Sequence, residues 1–400
     1  MHVNGHRSMA IAMVSLTLLF ARAADASVGF KADSGWAFST DGFINAFAVD
    51  QFGTEKQPAG TVPDSTHPVE DTTHNVFRLK TGLLPGLIAF NVESPDLDGL
   101  KLKGRVGFYP QINNNGANRN SINPNVDLRE AFVTIDGSFG QVLAGRAINL
   151  YQSKNILTDM TLFGVGALGS LSGDVTIGRI GFGYLYPSFG AQMRYTTPDF
   201  SGLKFALQVG DPNAIMGTGE DRLPEFEGEI SYAAKAGGVA YQAWVEGIFQ
   251  KTHNVTPGID ATGAGGAAGV GASFSGLDLL ASGFYGQALG SWLIFAVDAL
   301  DAAGKERKSG GFLAQATYAI GATKLGVSYG QNMMQETASD TATRAAGAQL
   351  DTRRSIVGGL YHDVNKNLKL VAEYTWLQTK WFNDATQHAN VAAVGGFFFW

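Results

Sequence analysis

The sequence predicts an all-β fold, a 16-stranded antiparallel transmembrane β-barrel with short periplasmic turns and long external loops. Three observations carry that expectation. The chain opens with an export signal, its remainder alternates apolar and polar residues in segment after segment, and tight turns and long loops occupy alternate joints. The end of the chain agrees. VAAVGGFFFW at 391–400 puts Trp400, Phe398, Gly396, Val394 and Ala392 on one face of a strand, and an aromatic terminus is stable where that face meets a membrane interface.

Residues 1–26 read as a secretory signal peptide. Arg7 and two histidines precede the apolar run 8–20, and Ala24-Asp25-Ala26 has the form of a cleavage site. Ala21-Arg22-Ala23 has the same form and is the alternative. The apolar run is too short to cross a bilayer, and no later stretch is long enough for a membrane helix. Residues 27–400 are then one barrel domain. The formal charge of −6 gives no sign of a nucleic-acid partner, and the absence of cysteine removes disulfides and thiolate metal sites. Fifty-two glycines, 11% aromatics and only 12 prolines suit kinked strands between two aromatic girdles. An exported globular β protein is compatible with composition alone.

The expected strands are 35–50, 75–93, 100–112, 127–135, 141–149, 189–197, 203–211, 225–236, 239–252, 267–275, 277–289, 310–320, 323–332, 353–364, 368–381 and 390–400, with the second broken by Pro85-Gly86. Short joints include DGSFG at 136–140 and AGG at 236–238. Long ones include 51–74, 113–126, 150–188, 253–266 and 382–389. Faces separate cleanly in several strands: Leu203, Phe205, Leu207 and Val209 alternate with Lys204, Ala206 and Gln208, and Leu370, Ala372 and Tyr374 alternate with Lys369, Glu373 and Thr375. Parity alone does not say which face is outside. Export, loop segregation and strand number favour a membrane barrel, and sixteen strands enclose more space than side chains fill, so the charged face should line water. The closing strand at 390–400 should pair with 35–50 and leave no edge.

Three segments carry a family resemblance: DLREAFVTIDGSFGQVLAGR at 127–146, MRYTTPDFSGLKFALQVGDP at 193–212 and GLYHDVNKNLKLVAEYTW at 359–376. In this order they resemble hairpins of the general bacterial porins of Gram-negative outer membranes, and the resemblance covers essentially 27–400. Ending in Trp400 departs from the family, which most often ends in Phe. The resemblance implies an outer-membrane location, a homotrimer, no cofactor, and a third loop, Leu150–Ser188, folded into the barrel as a constriction. It also implies that 113–126 is free to latch onto a neighbour, although that segment reads equally as a polar, Asn-rich turn.

Such a channel breaks no bonds, so pore radius and fixed charge set its behaviour. The candidate basic lining residues are Arg78, Lys80, Lys101, Lys103, Arg105, Arg129, Arg146 and Arg194; Arg146 stands where the resembling hairpin enters the third loop. The candidate acidic residues are Asp159, Asp174, Glu225, Glu227 and Glu229, the three glutamates sharing one strand face. Phe398 and Trp400 are the candidates for barrel closure and assembly. Each charged residue reads also as a solvated lumen residue far from the narrowest point. GAGGAAGVG at 263–271 lacks the strand-then-helix setting of a phosphate loop and reads as a loop or the start of a strand. No G-x-S-x-G occurs, and the histidines show no ligand spacing. The sequence therefore points to passive diffusion of small hydrophilic solutes and ions. A substrate-selective channel for a carboxylate, an amide or a sugar is the alternative, and a barrel enzyme or adhesin is a third.

Overall fold

The computed structural model describes residues 28–64, 66, 75–113, 126–169, 175–215, 220–221, 223–254, 258–296 and 298–400. The expected signal peptide, Asp174 and most of the 113–126 loop lie outside the described residues.

Sixteen antiparallel strands close one barrel. They are β1 (Ala37–Phe52), β2 (Val76–Lys80 and Leu87–Glu93), β3 (Lys101–Pro110), β4 (Val126–Gly137), β5 (Gly140–Ile148), β6 (Phe189–Thr196), β7 (Leu203–Gly210) and β8 (Glu225–Ala236). The second half comprises β9 (Val239–Asn254), β10 (Ile259–Phe274), β11 (Leu277–Gln287), β12 (Lys308–Ile320), β13 (Thr323–Met334), β14 (Leu350–Asp363), β15 (Leu368–Trp381) and β16 (Thr386–Phe399). Both pieces of β2 pair with β1. The excursion around Pro85-Gly86 is held by Asn45, which donates to the Leu84 carbonyl and accepts from the Gly82 amide, both at 2.8 Å.

Closure runs from Asn390 opposite Phe52 to Phe399 opposite Phe43. Trp400 continues it: its amide donates to the Gly42 carbonyl at 3.0 Å, and the Gly42 amide donates back at 3.1 Å. A Cβ on Gly42 would strike the Leu87 carbonyl and the Trp400 ring, so the close approach requires glycine. Beyond Trp400 the edge of β1 is covered by Val28–Lys31, which pairs with Ala37–Thr40. Short turns join strands at this rim. At Gly237-Gly238 both residues have positive φ (57° and 83°), which suits a two-residue hairpin following the sheet twist.

The outward face is apolar, which settles the orientation that parity left open. Leu207 is 69% exposed and Phe398 54%, whereas Gln208, Thr375 and Glu373 on the alternate positions are buried. Water-avoiding side chains on the outside and polar ones within are the pattern of a barrel set in lipid. β10 is the largest departure from the expected elements, since it starts at Ile259 rather than 267 and takes in the glycine run. The reason is steric. A Cβ at Gly263 would meet the Phe295 ring, at Gly265 the Leu289 side chain, and at Gly269 the Trp244 ring. Small residues here leave room for bulk filling the lumen.

Candidate pore constriction

The chain between β5 and β6 runs along the inner wall. Gln152 takes a left-handed conformation (φ 70°) and starts a short helix, α1 (Ser153–Thr158), followed by a 3-10 turn at Met160–Phe163. Asp159 caps that turn by accepting from the Thr161 amide at 2.8 Å, and it also accepts the Thr161 and Tyr184 hydroxyls at 2.7 Å. Burial raises the Asp159 carboxyl above its usual range, although these donors oppose the shift. Burial likewise pulls the Arg179 guanidinium down to about 10, against the attraction of Asp159.

Inward side chains of the wall hold this loop by its backbone. Glu227 accepts from the Tyr151 amide at 2.8 Å and Glu246 from the Gln152 amide at 2.7 Å. Lys154 reaches Glu229 at 3.4 Å. Farther along, Gln315 accepts from the Met160 amide at 3.0 Å and donates to the Thr158 carbonyl at 2.6 Å. Glu373 accepts from the Val165 and Gly166 amides at 2.7 and 2.8 Å, and from the Tyr361 hydroxyl at 2.6 Å. Asn332 accepts from the Gly183 amide at 2.8 Å. The anchors therefore stretch from β8 to β15. Apolar contacts add to them: Phe163 packs edge-on against Phe397 (5.4 Å) and Phe399 (5.9 Å), both on the inner face of the closing strand.

The sequence candidates occupy several different places. Arg105 is buried between Asp41 (2.9 Å) and Glu130 (2.8 Å) and also reaches Asn91. Arg78 lies opposite Val49 and Lys80 opposite Phe47, both on the inward parity; the Lys80 ammonium lies 3.3 Å from the Leu168 carbonyl. Lys101 and Lys103 sit toward the short-turn rim, each 3.3 Å from a carboxylate, Glu93 and Asp136. Arg129 stands beside the β3–β4 bulge, pairs with Asp127 at 2.8 Å and lies over the rings of Tyr109 (5.5 Å) and Phe189 (5.8 Å). Arg194 faces inward, with Nε donating to Gln192 at 3.0 Å. Glu225, Glu227 and Glu229 share the inner face of β8, and the last two anchor the loop. Phe398 is on the outward face, 6.2 Å from the Trp400 ring.

Arg146 departs from the pore-lining expectation. It is paired opposite Ala131 and Ala191, on the parity of the exposed Val133 and Met193, and it points out of the barrel. The inward positions beside it are Leu143 and Ala147, apolar because the inner wall is covered there, so polarity no longer marks the lumen side. Sequence reasoning also left Glu246, Asn332 and Asp41 unnamed, and it placed Glu373 on a polar face without a role. The available signal was parity: Glu246 falls in step with Gln242 and Gln250. No group of three or more histidine, aspartate or glutamate residues is placed to hold a metal among the described residues.

The barrel is closed, and the loop between β5 and β6 is pinned to its inner wall. The model of the Gram-negative porin family matches residues 10–380. Among solved structures, the outer membrane channel DcaP of Acinetobacter baumannii superposes with a TM-score of 0.68 at 15% identity, over 93% of this chain and 100% of that one. The anion-selective porin from Comamonas acidovorans gives 0.64 at 14% identity, over 91% and 100%. The trimer form of in-vitro folded OmpT of Vibrio cholerae gives 0.55 at 15% identity, over 91% and 99%. No curated protein matches the sequence. With a family match along almost the whole barrel, and a fold shared with outer-membrane channels, the chain belongs to the Gram-negative porins and forms an outer-membrane channel for passive diffusion of solutes.

Proposed function

We propose that the loop between β5 and β6 sets the narrowest part of a water-filled channel in a homotrimer, and that this channel favours small hydrophilic anions. The loop's backbone bonds to Glu227, Glu246 and Glu373 carry the reading, because they fix a long segment across the lumen that would otherwise be free to move. They also occupy the acidic wall. Glu246 and Glu373 are buried as acceptors for loop amides, and Glu229 is paired to Lys154. Across the barrel Arg78 makes no ion pair among the described residues, and Arg194, two strands from Glu227 with Gln208 between them, makes none either. Cations outside ion pairs beside a water-filled path raise the local concentration of anions. A similar barrel is named an anion-selective porin, and another is described in a trimer form, which supports both parts of the reading. The same fold and family favour channel action over catalysis.

Reversal potentials across a planar bilayer under a KCl gradient test the preference. Chloride should be more permeant than potassium, and a potassium preference would contradict the reading. The second reading, a channel selective for a carboxylate, rests on Arg129 over the Tyr109 and Phe189 rings, with Tyr186 accepting from it at 3.2 Å. Conductance that saturates with one carboxylate would favour this, whereas strict proportionality to concentration favours general diffusion.

A further inference from the structure

We propose that Arg353 and Asp64 form a clamp that draws two further external loops onto the constriction loop, and that this clamp sets the largest solute the channel passes. The inference rests on the reading that the loop between β5 and β6 narrows the lumen, and it adds the positioning residues that hold that loop's returning limb. The wall glutamates hold residues 151–166. Asn332 on β13 and Arg353 on β14, directly opposite each other in the sheet, serve residues 181–186. Both are buried on the inner face, at 1% and 2% exposure.

Their side chains bond to three loops. The Asn332 nitrogen donates to the Tyr184 carbonyl at 3.2 Å and the Ser291 carbonyl at 2.9 Å, while its oxygen accepts from the Gly183 amide. Arg353 donates from Nη1 to the Ser291 hydroxyl and from Nε to Asp64 Oδ1 at 2.9 Å, with Nη2 2.7 Å from the same oxygen. Segments far apart in sequence thus meet on one pair of wall residues: the constriction loop, the chain between β11 and β12, and the chain after β1. The second of these also pairs with the returning limb, since the Tyr186 amide donates to the Trp292 carbonyl at 2.9 Å.

The chain after β1 is a strap laid against three strands. The Glu55 amide donates to the His388 carbonyl at 3.0 Å, and the Glu55 carbonyl accepts from the Gln387 side chain at 2.8 Å, both on β16. The Val62 carbonyl then accepts from the Trp381 indole at 2.9 Å, at the end of β15. Asp64 completes the crossing: Oδ2 accepts the Thr379 hydroxyl at 2.6 Å, while Arg353 on β14 takes Oδ1. Thr66 bonds back to Asp64 and reaches the constriction loop, where a Cβ on Gly181 would lie 3.5 Å from its methyl and 2.9 Å from the Trp292 Cβ. Both added loops therefore close on Gly181. The Asp64 and Arg353 side chains are 0% and 3% exposed, so removing either leaves the other as an unmatched buried charge and frees the strap.

Swelling of proteoliposomes in neutral sugars, from a pentose to a trisaccharide, tests the clamp in the full-length protein, with folding of each variant checked by heat-modified gel mobility. Asp64→Ala and Arg353→Met change the fixed charge in opposite directions, and both should raise trisaccharide swelling severalfold relative to the pentose. The double variant should raise it no further, because either substitution opens the same clamp. The sequence has no cysteine, and Thr61 and Ala348 face each other in a parallel bridge. Thr61→Cys with Ala348→Cys, oxidised in the Asp64→Ala background, should tie the strap down again and restore the wild-type size limit. Where the charge variants do not fold, Ser291→Ala removes a clamp contact without stranding a charge; it should widen the limit by a smaller step, and no change overturns the clamp. Glu246→Ala separates the two readings. If it widens the limit while folded Asp64→Ala and Arg353→Met leave it in place, the clamp is overturned and the constriction stands. If none of the three moves it, both fall.

Discussion

Glu246 on β9 accepts a hydrogen bond from the backbone amide of Gln152 at 2.7 Å, joining the barrel wall to the residue where the constriction loop turns into its helix. The carboxylate is only 2% exposed, and it lies directly across the strand pair from Glu229. Two acidic groups face each other there because Lys154 and the loop amides stand between them and the lumen. Removing the acceptor with Glu246→Ala leaves a buried amide unsatisfied, a loss of about 1–3 kcal/mol. Single-channel recordings should show larger conductance and noisier open states, and an unchanged trace would mean that the loop is held by other contacts.

Gly269 tests how tightly the lumen is filled. Its missing Cβ makes room for the Trp244 ring on the neighbouring strand. Gly269→Leu should lower stability by about 1–3 kcal/mol through overpacking. Heat modification followed by gel mobility reads this directly, and an unshifted transition would show that the ring moves aside freely.

The external rim has an acid-sensitive lock. Helix α2 (Ala338–Thr343) begins at a capping box between Thr337 and Asp340, and Asp340 also pairs with Arg307. Burial alone would raise the Asp340 carboxyl, but the Arg307 and Thr337 hydrogen bonds outweigh it and hold it below its usual value of 3.8. A depressed carboxyl stabilises the fold fully above that usual value, and the contribution fades as pH falls through the folded value. Hydrogen exchange of residues 335–349 should therefore stay slow near neutral pH and speed up below about pH 4. Asp340→Asn should exchange fast at both. Protection independent of pH in the wild type would contradict the lock.

The terminal strand separates assembly from conduction. Trp400 is tied to Gly42 through both its backbone groups, and its side chain sits away from the lumen-facing Phe397 and Phe399. Deleting Trp400 should reduce the amount of barrel inserted in the outer membrane while leaving the conductance of inserted channels unchanged. Normal insertion would make the residue an incidental end.

Strand number, turn side and the two faces are legible in the residues because lipid outside and polar groups inside keep the period of two intact, as from Leu203 to Val209 and from Leu370 to Thr375. The same logic explains the failures. Where the constriction loop covers the inner wall, inward positions become apolar or glycine, so Leu143 and Ala147 disguise the parity of Arg146, and the small residues of β10 look like a loop. Phe397 and Phe399 are a further case, since both faces of the last strand are aromatic, one for lipid and one for Phe163. Loop anchors such as Glu246 are single acidic residues whose partners lie about ninety positions away, a distance no local pattern encodes.

A loop-narrowed, anion-favouring diffusion channel is read most directly by the reversal potential of single channels in a planar bilayer, for wild type and Arg194→Glu. The expected result is near-ohmic steps with chloride preferred in the wild type, moving toward potassium in the variant. Correctly folded protein that conducts nothing, or a preference that Arg194→Glu leaves unmoved, would contradict it.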